Sequence, residues 1–248
     1  MHVKGSIKLK LLDTGKANTK IKKTELHSSV KEAVRIASLS LMPDDILCPW
    51  SIAAGCNELC LQSSGRGRFD NVAQGRQRKT DFWHNDAHAF LAQLVRELEN
   101  FEKLCIKTNV KPIVRLNVIS DIQWERHGIP QLFPNITFYD YTKQAHRIGK
   151  TPSNYNLMFS YSGAPKYQTQ VKRALKTDAP ISVVFTRIPT DPNYRFLGRP
   201  VIDGDQSDLV NLDAGKVIIG LKYKRTKADK STVEQSDFVI NPDIIATA

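Results

Sequence analysis

The chain has 248 residues, of which 41% are hydrophobic and 25% charged, a composition typical of a globular protein that buries a sizeable core. Its formal net charge of +11 favours anionic partners such as a small anionic metabolite or nucleic acid, with a generally basic surface as the alternative. No apolar stretch has the length of a membrane span, and the N-terminus lacks the apolar region of a secretory signal. We therefore expect a cytoplasmic protein that does not use a membrane.

The first residues alternate apolar and polar side chains over 3–12, which predicts a half-buried strand. A turn signal over 13–16 and a second candidate strand over 20–26 together predict a β-hairpin. We expect residues 1–28 to form an N-terminal β-hairpin extension and residues 29–248 to form one α/β domain.

A strand predicted over 34–41 leads into a segment that holds three of the four cysteines, Cys48, Cys56 and Cys60. We call residues 48–60 the cysteine loop. Cys56 and Cys60 are four residues apart, so one helical turn would place both thiols on one face. In a reducing compartment, clustered cysteines indicate metal or redox chemistry more often than a disulfide. The alternative is a chance run of small core residues.

Three thiolates can hold an iron–sulfur cluster with one iron left open, or they can hold zinc with a fourth ligand. The candidates for that fourth ligand are His84, His88, His127 and His146. The cysteine spacing is not a common zinc signature, which favours iron–sulfur. Cys105 lies on the apolar side of a predicted helix, so we expect it in the core and not as a ligand.

The segment Gly65-Arg66-Gly67-Arg68 follows the cysteine loop directly. Backbone amides of a glycine-rich turn, with guanidinium groups beside them, suit phosphate or carboxylate. Arg66 and Arg68 are therefore candidate cofactor-binding residues, with a solvated basic loop as the alternative.

Downstream, Thr80-Asp81 predicts a helix start, and apolar residues over 87–105 recur at helical spacing. Further strands are predicted over 112–119, 136–139, 156–161, 181–186, 200–202 and 217–222. A second helix is predicted over 168–175 and a surface loop over 226–236. Strands that alternate with helical or irregular segments predict a parallel sheet.

Polar residues cluster where the predicted strands end, which is the edge at which α/β sheets and (β/α) barrels bind ligands. Those within or just after two consecutive predicted strands are Arg115, Asn117, Ser120, Asp121, Asp140 and Lys143. Asp121, Asp140 and Lys143 have side chains suited to acid–base catalysis, so we take them as candidate catalytic residues. Caps and turns are the alternative for each residue taken singly.

The order of a strand, a three-cysteine loop, a helix and successive βα units resembles radical S-adenosylmethionine enzymes. This resemblance implies a partial or closed (β/α) barrel and a [4Fe–4S] cluster, held by the three cysteines, whose open iron binds S-adenosylmethionine. It also places contacts to S-adenosylmethionine near Arg115, Asn117, Ser120 and Asp121. The cysteine spacing here is wider than the usual pattern, and Leu61 stands where an aromatic residue often follows the last cysteine.

More specifically, the chain from about residue 34 onward is similar to an uncharacterised bacteriophage family known as gene product 88. The segments that carry this similarity are Cys48-Pro49, Cys56, Cys60, Gly65-Arg66-Gly67-Arg68, Arg115 to Asp121, Tyr139 to Lys143 and Val201 to Asp205. It implies a phage protein that works in the host bacterial cytoplasm.

Two functional hypotheses follow. The first is a radical-SAM-like iron–sulfur enzyme acting on a nucleotide, nucleic acid or protein. The second is a non-catalytic, basic, metal-stabilised protein that binds nucleic acid or a host factor.

Overall fold

A computed structural model describes residues 9–14, 33–209 and 214–245, and ten strands within this part of the chain join into one mixed sheet. The strands are β1 Asp13–Thr14, β2 Val34–Ser38, β3 Lys111–Arg115, β4 Thr137–Thr142, β5 Tyr155–Ser160, β6 Ile181–Phe185, β7 Arg195–Phe196, β8 Arg199–Asp203, β9 Ile218–Lys222 and β10 Val239–Ile240. The helices are α1 Asp70–Asn85, α2 Ala87–Lys107, α3 Ile129–Leu132, α4 Gln168–Leu175, α5 Lys230–Glu234 and α6 Pro242–Ile245.

The strands follow the order β1-β2-β3-β4-β5-β6-β9-β8-β7, and β10 pairs with β6. The seven pairs among β2 to β6 and β8 to β10 are parallel, whereas β1 pairs with β2 and β7 with β8 in antiparallel fashion. The predicted α/β class with a parallel sheet is therefore confirmed. Among the described residues, hydrogen bonds do not close the sheet, so a barrel is not established.

The sheet is nevertheless strongly curved. Strand β4 is four places from β8, which is roughly 19 Å in a flat sheet with strands about 4.8 Å apart. Yet the hydroxyl of Tyr139 on β4 donates to Asp208, five residues after β8, over 3.1 Å. Curvature of the sheet and the reach of the five residues after β8 together bring the two side chains into contact.

Apolar side chains cover both faces of the sheet. Successive residues of a strand point to opposite sides, and Ile36 and Ile113 lie in an inner cluster with Met158 and Ile219. Their neighbours Ala37 and Val114 lie in an outer cluster that includes the buried side of α2. This double burial explains why the strands read as nearly continuous apolar runs. Cys105 is fully buried in the outer cluster, which confirms its predicted core position.

The helical region begins earlier than the sequence predicts. Two helices replace the single predicted one, and Asp86 caps the second by accepting from the amide of Ala89. Thr80 is not the cap, because it is buried within α1 and donates its hydroxyl to the carbonyl of Met42. The predicted surface loop over 226–236 contains the short helix α5.

Most of the predicted N-terminal hairpin lies outside the described residues and stays a prediction. In the described part, strand β1 falls where a turn was expected and forms the edge of the sheet beside β2. Leu11 and Leu12 are buried in the outer cluster, and their amides donate to the carboxylate of Glu97 on α2. This segment thus packs directly against the main sheet and its helix.

Candidate functional site

A cavity of about 340 Å³ lies at the carboxyl ends of the parallel strands. The cysteine loop covers one side of it, and residues at the ends of β3, β4, β5, β6 and β9 form the rest. Parallel strands bring their carboxyl ends to one edge, so residues far apart in the sequence share this space. Its volume is that of a small-molecule site.

The cysteine loop is anchored at its beginning and in its middle. The carboxylate of Asp44 accepts from the amides of Ile46 and Leu47 and pairs with His84 over 2.7 Å. Burial opposes ionisation of Asp44, but these hydrogen bonds prevail and lower its pKa. In the middle of the loop, the hydroxyl of Ser162 donates to the carbonyl of Ala54 over 2.7 Å. The loop therefore has a defined path over the strand ends.

All three cysteines of the loop line the cavity as free thiols. The thiol of Cys48 donates to the carbonyl of Ile119, and that of Cys56 donates to the carbonyl of Ser51, both over 3.6 Å. Burial raises the pKa of Cys48 and of Cys60, and the neighbouring thiols raise both further. The segment between Cys56 and Cys60 is bent and irregular, so the helical turn expected there does not form.

This arrangement does not suit a single metal ion. Among the residues that the structure describes, no three His, Cys, Asp or Glu side chains converge as one ion requires. None of the four candidate histidines lines the cavity; for example, His84 pairs with Asp44, and His127 packs edge-on against Trp83. In a cluster each thiolate binds a different iron, so its ligands stand farther apart than those of zinc. The three thiols line one cavity but form no metal site among the described residues.

Arg115 lies at the end of β3 and lines the cavity. Its guanidinium contacts Asp208 and the carbonyl of Val118, each over 3.4 Å, and it lies 4.8 Å from the centre of the Tyr141 ring. Both Tyr139 and Tyr141 donate hydroxyl groups to Asp208 over 3.1 Å. Arg115 therefore belongs to a buried polar group inside the curved sheet.

Asn117 and Ser120 line the cavity, but their side chains are used within the chain. The amide oxygen of Asn117 accepts from the hydroxyl of Ser120 and from the indole of Trp124 over 2.9 and 3.1 Å. The amide nitrogen of Asn117 donates to the carbonyl of Ile122 and to Asp140. These two residues shape the cavity floor more than they offer groups to a ligand.

Asp140 does not line the cavity and is only 1% exposed. It accepts from the amide of Asn117 over 2.7 Å and from the hydroxyl of Tyr155 over 2.8 Å. Burial raises the pKa of Asp140 to about 7. The structure thus places this candidate catalytic residue beneath the cavity, where it holds the Asn117 turn.

Asp121 lines the cavity, but both of its carboxylate oxygens are occupied. One accepts from Arg147 over 2.8 Å, and the other accepts from the backbone amide of Lys143 over 2.9 Å. Burial raises the pKa of Asp121, although the charge of Arg147 acts against this. Asp121 thereby fixes the backbone of Lys143.

The side chain of Lys143 extends into the cavity. Its ammonium donates to the hydroxyl of Ser160 over 3.1 Å and lies 4.5 Å from the centre of the Phe238 ring. Burial raises the pKa of Cys60, and the positive charge of Lys143 offsets part of that rise. Of the three candidate catalytic residues, only Lys143 presents an uncommitted charge to the cavity.

The glycine–arginine segment lies beside the cavity without lining it. Arg68 donates to the carbonyls of Ser63, Arg225 and Thr226, so its guanidinium ties two loops together. Arg66 is exposed. The segment forms a short 3₁₀ helix that leads into α1.

Several important residues of this region were not found from the sequence. Arg147 supports Asp121 from below, Asp208 pairs with Arg115, and Phe238 forms part of the cavity wall. Asp208 follows a predicted strand, which is a usable signal. Arg147 and Phe238 carry no such signal in the sequence, because only the fold brings them to the region of the cavity.

A family model described as gene product 88 matches residues 10–236. No curated protein and no solved structure matches the chain in the two other comparisons. Among the described residues, no helix is long and apolar enough to cross a membrane.

Proposed function

The chain belongs to the gene product 88 family, a bacteriophage family, and we propose that it is an iron–sulfur enzyme of the radical S-adenosylmethionine type. It acts in the host cytoplasm on a nucleotide, nucleic acid or protein. One observation carries the proposal: three cysteines line the same cavity as charged residues at the carboxyl edge of a parallel sheet. That edge is where sheets of this kind bind ligands.

Cys48, Cys56 and Cys60 would hold a [4Fe–4S] cluster, which supplies reductive cleavage of S-adenosylmethionine when it is bound. The chain contributes the surroundings. Lys143 places a positive charge near Cys60, which opposes the cost of ionising that thiol. Apolar side chains such as Leu59 and Leu221 line the cavity and exclude water from it.

Metal analysis of the wild-type protein and of paired variants tests the proposed cluster. Protein purified without oxygen is analysed for absorbance, iron, sulfide and zinc in the same sample. We expect about four iron and four sulfide per chain, as a full cluster requires. Cys48→Ala should lose most of this iron, whereas Cys105→Ala should keep it because Cys105 is buried in the outer cluster. A colourless protein after reconstitution, or full iron in Cys48→Ala, would contradict the proposal.

If the iron is present, cleavage of S-adenosylmethionine under reducing conditions is the second step. The wild-type protein and Cys105→Ala should cleave it, and Cys48→Ala should not. A complete cluster without any binding of S-adenosylmethionine would leave an iron–sulfur protein but remove the radical chemistry.

The net charge of +11 and the exposed Arg66 favour a second candidate function, binding of nucleic acid or a host factor without catalysis. Affinity for nucleic acid should then fall steeply as the salt concentration rises, because lysine and arginine side chains that contact phosphates displace the counterions bound there. Arg66→Gln should reduce the slope, whereas Lys166→Gln serves as an exposed control away from this segment. A flat salt dependence, or no affinity at low salt, would count against this function.

A further inference from the structure

Lys143 is a cation without an anionic partner among the described residues. Its ammonium has one hydrogen-bond partner, the neutral hydroxyl of Ser160, at 3.1 Å. Two aromatic rings flank it, with Phe238 at 4.5 Å and Tyr167 at 5.4 Å from the ring centres. Three donors are available on an ammonium, so this group can bind a further acceptor.

Arg115 also has unused hydrogen-bonding capacity. Its Nε is buried and has no hydrogen-bond partner. The two contacts of its terminal nitrogens, to Asp208 and to the carbonyl of Val118, are both long at 3.4 Å. A buried donor without a partner is costly, and a guanidinium fork matches the oxygens of a carboxylate or phosphate.

The nearby carboxylates do not neutralise this pair of cations fully. Asp121 pairs with Arg147 over 2.8 Å. Asp208 accepts from two tyrosine hydroxyls in addition to Arg115, so its charge is shared among three donors. The whole cavity lining holds four aspartates and four basic residues, so the excess positive charge is local to Arg115 and Lys143.

The two cations line the same cavity. Tyr141 packs on the guanidinium of Arg115, and Lys143 is two residues further along the same segment. Much of the remaining wall is apolar, with Leu59, Val184 and Leu221 among its residues.

We infer that Arg115 and Lys143 form a subsite for the charged group of a small organic oxyanion, a phosphate monoester or a carboxylate. Its uncharged body lies against the apolar wall of the same cavity. This inference goes beyond the proposed cluster, because the subsite needs neither iron nor the thiols.

Equilibrium binding to the full chain tests it, with small aromatic probes followed by ligand-observed NMR. Phenyl phosphate and benzoate are compared with the neutral phenol and benzamide, and S-adenosylmethionine forms a separate arm. We expect at least one anion to bind roughly tenfold or more tightly than its neutral counterpart. The preferred anion identifies the source of the charge as phosphate or carboxylate.

Matched variants assign the binding to the two cations. Lys143→Met keeps an aliphatic chain against Phe238 and leaves no carboxylate unpaired, so it should fold. Lys143→Met and Arg115→Gln should each lower the affinity for the anion about tenfold. The exposed Lys172→Met and Arg173→Gln on α4 should change it less than about twofold. Metal-free and iron-reconstituted wild-type protein should bind the anion equally, so a failure of the proposed cluster is distinguishable from a failure of the subsite.

Equal binding of anion and neutral probe, or unchanged anion binding in Lys143→Met, would overturn the subsite. Loss of anion binding in Arg66→Gln would place the anion site at the glycine–arginine segment, residues 65–68, and would also overturn the proposed subsite. The same conclusion follows if neither aromatic anion binds and only S-adenosylmethionine depends on Arg115 and Lys143, since the charges then serve the cofactor.

Discussion

Removal of Arg147 should destabilise the protein strongly. Its side chain is 1% exposed and contacts Glu125 twice and Asp121 once, each over 2.8 Å. It also donates to Thr142 and Tyr155 over 3.2 and 3.3 Å. Arg147→Met leaves two largely buried carboxylates unpaired, and breaking a buried pair in this way costs about 3–5 kcal/mol. That is a large share of the roughly 5–15 kcal/mol by which domains are stable.

The loss should depend on pH in a defined direction. Burial raises the pKa of Asp121 even with Arg147 beside it, and removal of that charge raises it further. The native variant then retains a proton that the unfolded chain releases near an ordinary pKa of about 3.9. The loss of unfolding free energy that comes from the unpaired charge is absent below that pH and grows as the pH rises. Arg147→Met should therefore lose more unfolding free energy, relative to the wild type, at pH 7.5 than at pH 5.

Urea unfolding at both pH values measures the free energy of unfolding. Lys230→Met removes an exposed pair with Glu234 and should have a much smaller effect. Adding Asp121→Asn and Glu125→Gln to Arg147→Met should recover most of the loss, because neutral side chains replace the unpaired charges. A deficit below about 1 kcal/mol, or one equal at both pH values, would refute the reasoning that the pairing itself stabilises this region.

Three further predictions concern other parts of the structure. Gly67→Ala should lower the free energy of unfolding by about 1–3 kcal/mol, because the new methyl group clashes with the carbonyl of Gln62 and lies 2.9 Å from Arg76. Gly75→Ala in α1 has room for the methyl group and should raise the free energy of unfolding by up to about 1 kcal/mol. Thermal unfolding measures both variants, and equal effects would contradict the steric argument. Wild-type stability should fall as pH rises from about 4 to 7, since the native state holds a proton on Asp140 that the unfolded chain releases. Asp140→Asn should remove this part of the pH dependence in urea titrations, and an unchanged slope would argue that Asp140 is already ionised. Glu97→Ala should speed hydrogen exchange at the amides of Leu11 and Leu12, which both donate to that carboxylate, while exchange within β4 stays as it is. Unchanged protection of both amides would show that packing alone retains the segment.

The parallel strands were predictable because both faces of the sheet are buried. Such strands appear as short apolar runs, and β6 and β9 fall within one residue of their predicted limits. The first ten residues of α1, 70–79, were missed because this part is largely polar and shows no apolar periodicity. Tertiary contacts hold it instead, through Lys79 to Asp13 and Thr80 to Met42.

The candidate site was predictable as a location more than as a set of roles. Strand ends and clustered cysteines identified Cys48, Arg115 and Lys143, which do line one cavity. The roles of Asp140 and Asn117 depend on which neighbours the fold supplies, and local sequence carries no information about that. For the same reason the buried partners Arg147 and Asp208 were not anticipated.

The pairing of β6 bears on how the protein is made. The first residues of β6 pair with β5, but its last two pair with β10, so β10 fills the space where β5 and β6 diverge. The residue before β10, Phe238, completes the cavity wall beside Lys143. Most of the chain separates Cys60 from Phe238. A ribosome therefore releases the three thiols long before the wall that shelters them, and the cavity is finished only after residue 240 has emerged.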